Sequence, residues 1–123
     1  MHINPTPEQQ QHFMEMPDIG PLFMINMLKF KTGGLPKYQA YVKAVAPLIN
    51  EVGGELVWSG QPMATLIGPH EEDEVLWDAV LIVRYPNKMA LAQLGGHPGY
   101  PGHLRTEALT DSRLIASTAM DFT

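Results

Sequence analysis

The chain contains no cysteine, which removes disulfides, thiolate nucleophiles, Cys-ligated zinc and iron–sulfur clusters together. Charge is scarce: 17% of residues are Asp, Glu, Lys or Arg, against about 25% in an ordinary globular chain. Basic residues are the scarcer sign, 8 against 13 acidic, for a formal charge of −5. That balance disfavours a nucleic-acid surface or an anionic membrane as partner. Long hydrophobic runs are missing as well. Each apolar stretch meets a polar residue, Gly or Pro within a few positions, far short of the roughly 20 needed to cross a bilayer. The opening Met1-His2-Ile3-Asn4-Pro5 lacks the basic and apolar regions of a secretory signal. The expectation is a cytoplasmic protein with neither membrane nor nucleic acid as partner.

What is present is 123 residues, 45% of them apolar, enough for one domain with one core. At 13.6 kDa a folded monomer should expose about 6,600 Å² of the about 19,700 Å² its unfolded chain exposes. Low charge with ordinary apolarity points to surface that is not all meant for water.

Residues 1–21 read as a helical appendage, with Thr6 as N-cap, Pro7 in the first turn and Pro17 to Pro21 as a break. Residues 22–123 read as a single domain. Leu22 to Phe30 is a strand in which only Asn26 and Lys29 are polar. A helix from Pro36 to Val52 follows, its stripe of Tyr38, Tyr41, Val42, Val45, Leu48 and Ile49 at three- and four-residue steps, with Pro47 inside and Gly53-Gly54 as stop. Glu55 to Gly68, broken by Gly60 and Pro62, suggests an edge strand with a bulge. An acidic connection, Pro69 to Glu74, leads to a strand from Val75 to Tyr85. Asn87 caps a helix to Leu94, a helical turn or two starts at His103, and Ser112 to Met120 is the last strand.

This βαββαβ order predicts a ferredoxin-like α+β sandwich, a four-stranded antiparallel sheet with both main helices on one face. Such a sheet should alternate apolar and polar along its strands. These do not: Met24 and Leu28 oppose Phe23, Ile25 and Met27, and Leu81 and Val83 oppose Val80 and Ile82. Two apolar faces with helices for only one predict a homodimer joined through the sheets, in which about 800 Å² per partner, mostly apolar, is ample drive.

The strand Phe23-Met24-Ile25-Asn26-Met27-Leu28-Lys29-Phe30-Lys31 resembles the first strand of domain-of-unknown-function family 1330, of the dimeric α/β-barrel superfamily. Similar too, in order and spacing, are Tyr38 with Tyr41, Ala46-Pro47-Leu48, Gly53-Gly54, Trp58-Ser59-Gly60, Trp77-Asp78, Val83-Arg84-Tyr85-Pro86, Ala108-Leu109 and Asp111-Ser112-Arg113-Leu114-Ile115. The likeness runs from Leu22 to Ser117. Leu104-Arg105 stands where many members carry His-Arg, and His103 lies one position earlier. The resemblance implies a dimeric α/β barrel and a relationship to cofactor-free isomerases and small monooxygenases.

The residues themselves offer a short set of candidates. Asn26, alone in an apolar strand, needs hydrogen-bond partners; it either satisfies neighbouring backbone or points into a pocket. Tyr38, Trp58, Trp77 and Tyr100 are core residues or the aromatic walls of such a pocket. Arg84 and Arg105 can grip a carboxylate, while Asp78 suits a structural ion pair, with Arg105, Arg113 or a residue across the dimer as partner. His103 and Tyr41 are the candidate proton carriers. His97 and His103 have no metal-ligand spacing, Gly33-Gly34-Leu35-Pro36-Lys37 is not a phosphate loop, and no G-x-S-x-G elbow occurs. Two functions stay open: a small-molecule enzyme using neither metal nor organic cofactor, and a non-catalytic dimer that binds a small anionic or aromatic ligand or serves as scaffold.

Overall fold

The computed structural model describes residues 2–69 and 77–122; most of the acidic connection (70–74) and the expected first residues of the third strand (75 and 76) lie outside them. The elements are α1 (Pro7–Glu15), β1 (Leu22–Phe30), α2 (Gly34–Glu51), β2 (Glu55–Gly60), β3 (Ala79–Tyr85), α3 (Lys88–Gly95), α4 (Gly102–Ala108) and β4 (Leu109–Ser117). The strands form one antiparallel sheet in the order β2-β3-β1-β4. With the helices packed on one side, this is the expected ferredoxin-like arrangement.

Local chemistry sets most element ends. Thr6 caps α1 in a full capping box: its hydroxyl accepts from the Gln9 N–H while the Gln9 side chain takes the Thr6 N–H. Asn87 caps α3 through the Ala90 N–H, 2.8 Å away. α2 begins two residues before Pro36 because Gly34 is buried against α4, where any Cβ would collide with the Ala108 carbonyl oxygen. It runs on through Pro47, whose missing N–H leaves the Lys43 carbonyl without its helical donor. Gly53, at φ 83°, ends it.

The edge strand is β2, and its expected bulge falls between Leu56 and Trp58. It stops at Gly60; in the stretch that follows, Met63, Leu66 and Ile67 are more than 90% exposed. β4 starts at Leu109 rather than Ser112 because the Lys31 N–H donates to the Ala108 carbonyl (2.8 Å) and Phe30 then pairs with Leu109 across a register shift.

The core lies between sheet and helices. Leu22, Met24, Leu28, Val83, Tyr85 and Leu109 meet Tyr38, Tyr41, Val45, Ala90 and Leu94 there. Asn26 shares the parity of Met24 and Leu28 and so belongs to this face. The opposite face presents Phe23, Ile25, Met27, Val80 and Ile82, all half-buried, and Ile115, 49% exposed.

The N-terminal segment is tied to the body at both ends. The His2 N–H donates to Asp111 (3.1 Å), the His2 carbonyl accepts from Ser112 Oγ (2.7 Å), and the Ile3 carbonyl accepts from Arg105. At the far end the Lys88 ammonium bonds the carbonyls of Phe13, Met14 and Met16 and lies 5.9 Å from the Phe13 ring centroid. A cation on the last carbonyls of a helix is where the helix dipole favours it.

Candidate functional site

The residues singled out from the sequence fall into separate places. On the helical side, α2 and the loop before α4 build a ladder of rings: Phe30 to Tyr38 at 5.6 Å, Tyr38 to Tyr41 at 5.3 Å, and Tyr41 edge-on to Tyr100 at 6.0 Å. The Tyr41 and Tyr100 hydroxyls share a hydrogen bond of 2.8 Å. Burial pushes the Tyr38 phenol up to about 12, against the pull of the nearby Arg105 guanidinium. Burial also raises Tyr41 and Tyr85, and the neighbouring tyrosines add to it. These phenols are held inward, and the Tyr41 hydroxyl is engaged with Tyr100.

Arg105 is buried, and its guanidinium is taken up by the Ile3 carbonyl and by Ser112 Oγ (3.4 Å). It anchors the N-terminal segment. Asn26 donates weakly to the carbonyls of Met24 (3.3 Å) and Leu81 (3.4 Å), the backbone-satisfying alternative. Trp58 stands 55% exposed on the edge strand, and Trp77 lies 5.1 Å from the Arg113 guanidinium. Arg84 is on the open face of the sheet, where with Phe23 and Ile19 it lines a shallow hollow of about 370 Å³. His103 is exposed on α4. The candidates therefore do not converge on one place.

A larger feature draws on residues the sequence reading passed over. Between α2 and the β2–β3 side of the sheet runs a cleft of about 850 Å³. Its apolar lining comes chiefly from Phe30, Leu35, Val42, Leu56, Ala79 and Leu81, and of the sequence candidates for binding or catalysis only Tyr38 reaches it. The polar lining includes Lys29, Lys31, Gln39, Lys43, Ser59 and Asp78. At one end Asp78 pairs with Lys29 (3.2 Å) and accepts from the Phe30 N–H (2.9 Å), while its own N–H donates to the Leu28 carbonyl (2.8 Å). The expected structural ion pair thus exists, but with Lys29 instead of an arginine or a residue across the dimer. The neighbouring strand β1 supplies the partner. The remaining histidine of interest, His97, faces Glu51 at 3.7 Å.

Chemically, the cleft offers a greasy wall on the sheet, a helix opposite it, and ammonium groups at its margins. Its parts come from the end of β1, the first half of α2, β2 and the start of β3, which sequence spacing does not link. The signal available beforehand was the concentration of Lys29, Lys31 and Lys43 in one short stretch of an acidic chain.

No protein-family model and no curated protein matches the chain. Among solved structures it is similar to the methylated RPA0582 protein, at 34% identity over 98% of this chain and 96% of that one, with a TM-score of 0.87. A second structure of RPA0582, a protein of unknown function from Rhodopseudomonas palustris, gives 33% identity, 98% of each chain and a TM-score of 0.85. Similarity in fold alone extends to a dimeric ferredoxin-like protein of unknown function from Bacteroides fragilis (15% identity, 79% of this chain and 94% of that one, TM-score 0.53). It extends equally to a dabb family protein with a ferredoxin-like fold from Mesorhizobium loti (10%, 83% and 99%, 0.52).

Proposed function

Starting from the fact that the chain belongs to the family of the Rhodopseudomonas palustris protein RPA0582, we propose that it is a cytoplasmic small-ligand-binding protein that works as a homodimer. Membership of domain-of-unknown-function family 1330, read from the ordered motifs between Leu22 and Ser117, is part of the proposal. The observation that carries the binding function is the cleft of about 850 Å³, a volume within the range of small-molecule sites. Its lining sets apolar side chains beside polar and charged ones, the combination by which such sites hold and orient a ligand.

The homodimer rests on exposed apolar area. The chain presents 8518 Å² to solvent, about 1,900 Å² beyond the scaling expectation for a monomer of its mass. The open face of the sheet, with Phe23, Ile25, Met27, Ile82 and Ile115, is an apolar part of it, and a ferredoxin-like protein of similar fold from Bacteroides fragilis is dimeric. A standard interface hides about 800 Å² per partner, so a sheet-to-sheet pair accounts for much of the surplus.

Cofactor-independent small-molecule catalysis, isomerase- or monooxygenase-like, is the second reading. One observation favours it: the titratable pair Lys29–Asp78 lines the cleft. In that case those two residues, rather than His103 and Tyr41, touch the substrate.

A ligand screen by thermal shift and amide NMR tests the binding function. Ligands should move the resonances of Val42, Leu56 and Leu81, and Val42→Trp, which fills the cleft, should abolish the effect while circular dichroism stays unchanged. Equal binding to both proteins would place the ligand elsewhere and end the reading.

A further inference from the structure

Resting on that reading of the cleft, we propose that its ligand is an amphipathic organic anion: an apolar body along Val42, Leu56 and Leu81, with a carboxylate or comparable group at the margin held by Lys31 and Lys43. The argument starts from how charge is distributed. The chain is acidic, at −5, with five lysines, yet three of those lysines line this one cleft, and among the described residues Asp78 is the sole carboxylate on its lining. Asp78 is matched with Lys29. Lys31 and Lys43 are exposed and have no ion pair among the described residues. Lys37, the other lysine on this stretch, is directed instead to Glu107 at 3.7 Å.

The backbone adds to the same bias. α2 starts without a side-chain cap, and its first turn, at Leu35, forms part of the cleft wall. The positive end of an 18-residue helix therefore stands beside Lys31. Gln39, one turn along α2, and Ser59 on β2 supply neutral hydrogen-bonding groups on the same lining. A cationic ligand would meet two ammoniums on this lining that have no ion pair among the described residues. A neutral apolar one would leave them unused. An anion with an apolar body uses both parts of the lining at once.

The test compares two ligands of one shape, 4-butylbenzoate and its neutral amide 4-butylbenzamide, by calorimetry on the full chain. The acid should bind about tenfold more tightly, the scale expected from two solvent-facing ion pairs. Lys31→Gln/Lys43→Gln should erase that preference while leaving the amide's affinity in place. Since both lysines are exposed, the double variant should fold; a salt titration of the unaltered protein gives an independent measure, with rising NaCl weakening the acid and not the amide. Equal affinity for acid and amide, or a preference that survives the double substitution, would overturn the anion assignment and leave the cleft as a neutral binding site. Failure of both ligands to bind, together with an empty ligand screen, would remove the binding function itself.

Discussion

The two faces of the sheet are built from the same kind of residue and end in different states. Toward the helices, Met24, Leu28 and Val83 are buried. On the opposite face Ile25, Met27 and Ile82, one position along in each strand, remain half-buried, and Ile115 is 49% exposed. Side-chain type is therefore not what makes a core; cover is. The helices α2, α3 and α4 cover one face, and the N-terminal segment makes its hydrogen bonds with Arg105, Ser112, Asp111 and Lys88. An apolar face of this breadth is uncommon on a protein that stays alone in water.

The sharpest way to break that contrast is to substitute one residue on each face. Ile82→Glu puts a charge into the proposed interface and should turn the dimer into a monomer at micromolar concentration, with far-ultraviolet circular dichroism intact. Leu28→Ala should instead lower the unfolding free energy by about 3–5 kcal/mol, since it empties a fully enclosed site, without changing the association of the folded chain. Sedimentation and denaturant titration on the two variants read these effects separately. If Ile82→Glu sediments like the parent, the faces are not used differently.

Alkaline titration probes the covered face alone. Tyr38 is raised to about 12 when folded, above the ordinary phenol value near 10. Below about pH 10 both states keep the proton, so its contribution is fully present. Between about 10 and 12 the unfolded phenol ionises first, and stability should fall by about 2–3 kcal/mol, with Tyr41 and Tyr85 acting in the same direction. Denaturant midpoints at pH 8, 10 and 11.5, with tyrosinate absorbance followed in parallel, check this. A folded protein whose Tyr38 ionises near pH 10 would contradict the burial described above.

The smallest effect belongs to the appendage. Lys88→Met removes the cation from the carbonyls of Phe13, Met14 and Met16 at the end of α1 and should cost about 1–2 kcal/mol, felt locally. Amide exchange across Pro7–Glu15 should quicken while β1 keeps its protection. Equal loosening of both would mean that the segment is part of the main cooperative unit.

The elements were legible where the chain carries its own punctuation. Thr6 with Pro7, Pro21 before β1, Gly53 after α2 and Asn87 before α3 each act within a few residues, and a one-dimensional reading suffices. The missing apolar–polar alternation of β1 and β3 likewise revealed two apolar faces, and the bulged edge strand followed from Gly60 and Pro62. Boundaries set by distant groups were not legible. β4 begins early because Lys31 bonds Ala108, a contact across 77 positions of sequence. The candidate site suffered most from this. Tyr38, Tyr41, Tyr100 and Arg105 do gather, but into a packed and internally bonded cluster; the cleft is assembled from β1, α2, β2 and β3, and the lysines on it look like any solvated lysine until the fold brings them to one cleft.

The stretch ahead of α1 has a further bearing on how the molecule comes together. His2 and Ile3 hold on to Asp111, Ser112 and Arg105 across separations of 109, 110 and 102 residues. Closing so wide a chain loop is slow and entropically unfavourable until the rest has formed. This stretch must therefore wait for β4 before it can fasten, like a latch that engages after the door has shut, and its release should be among the first steps when the fold begins to open.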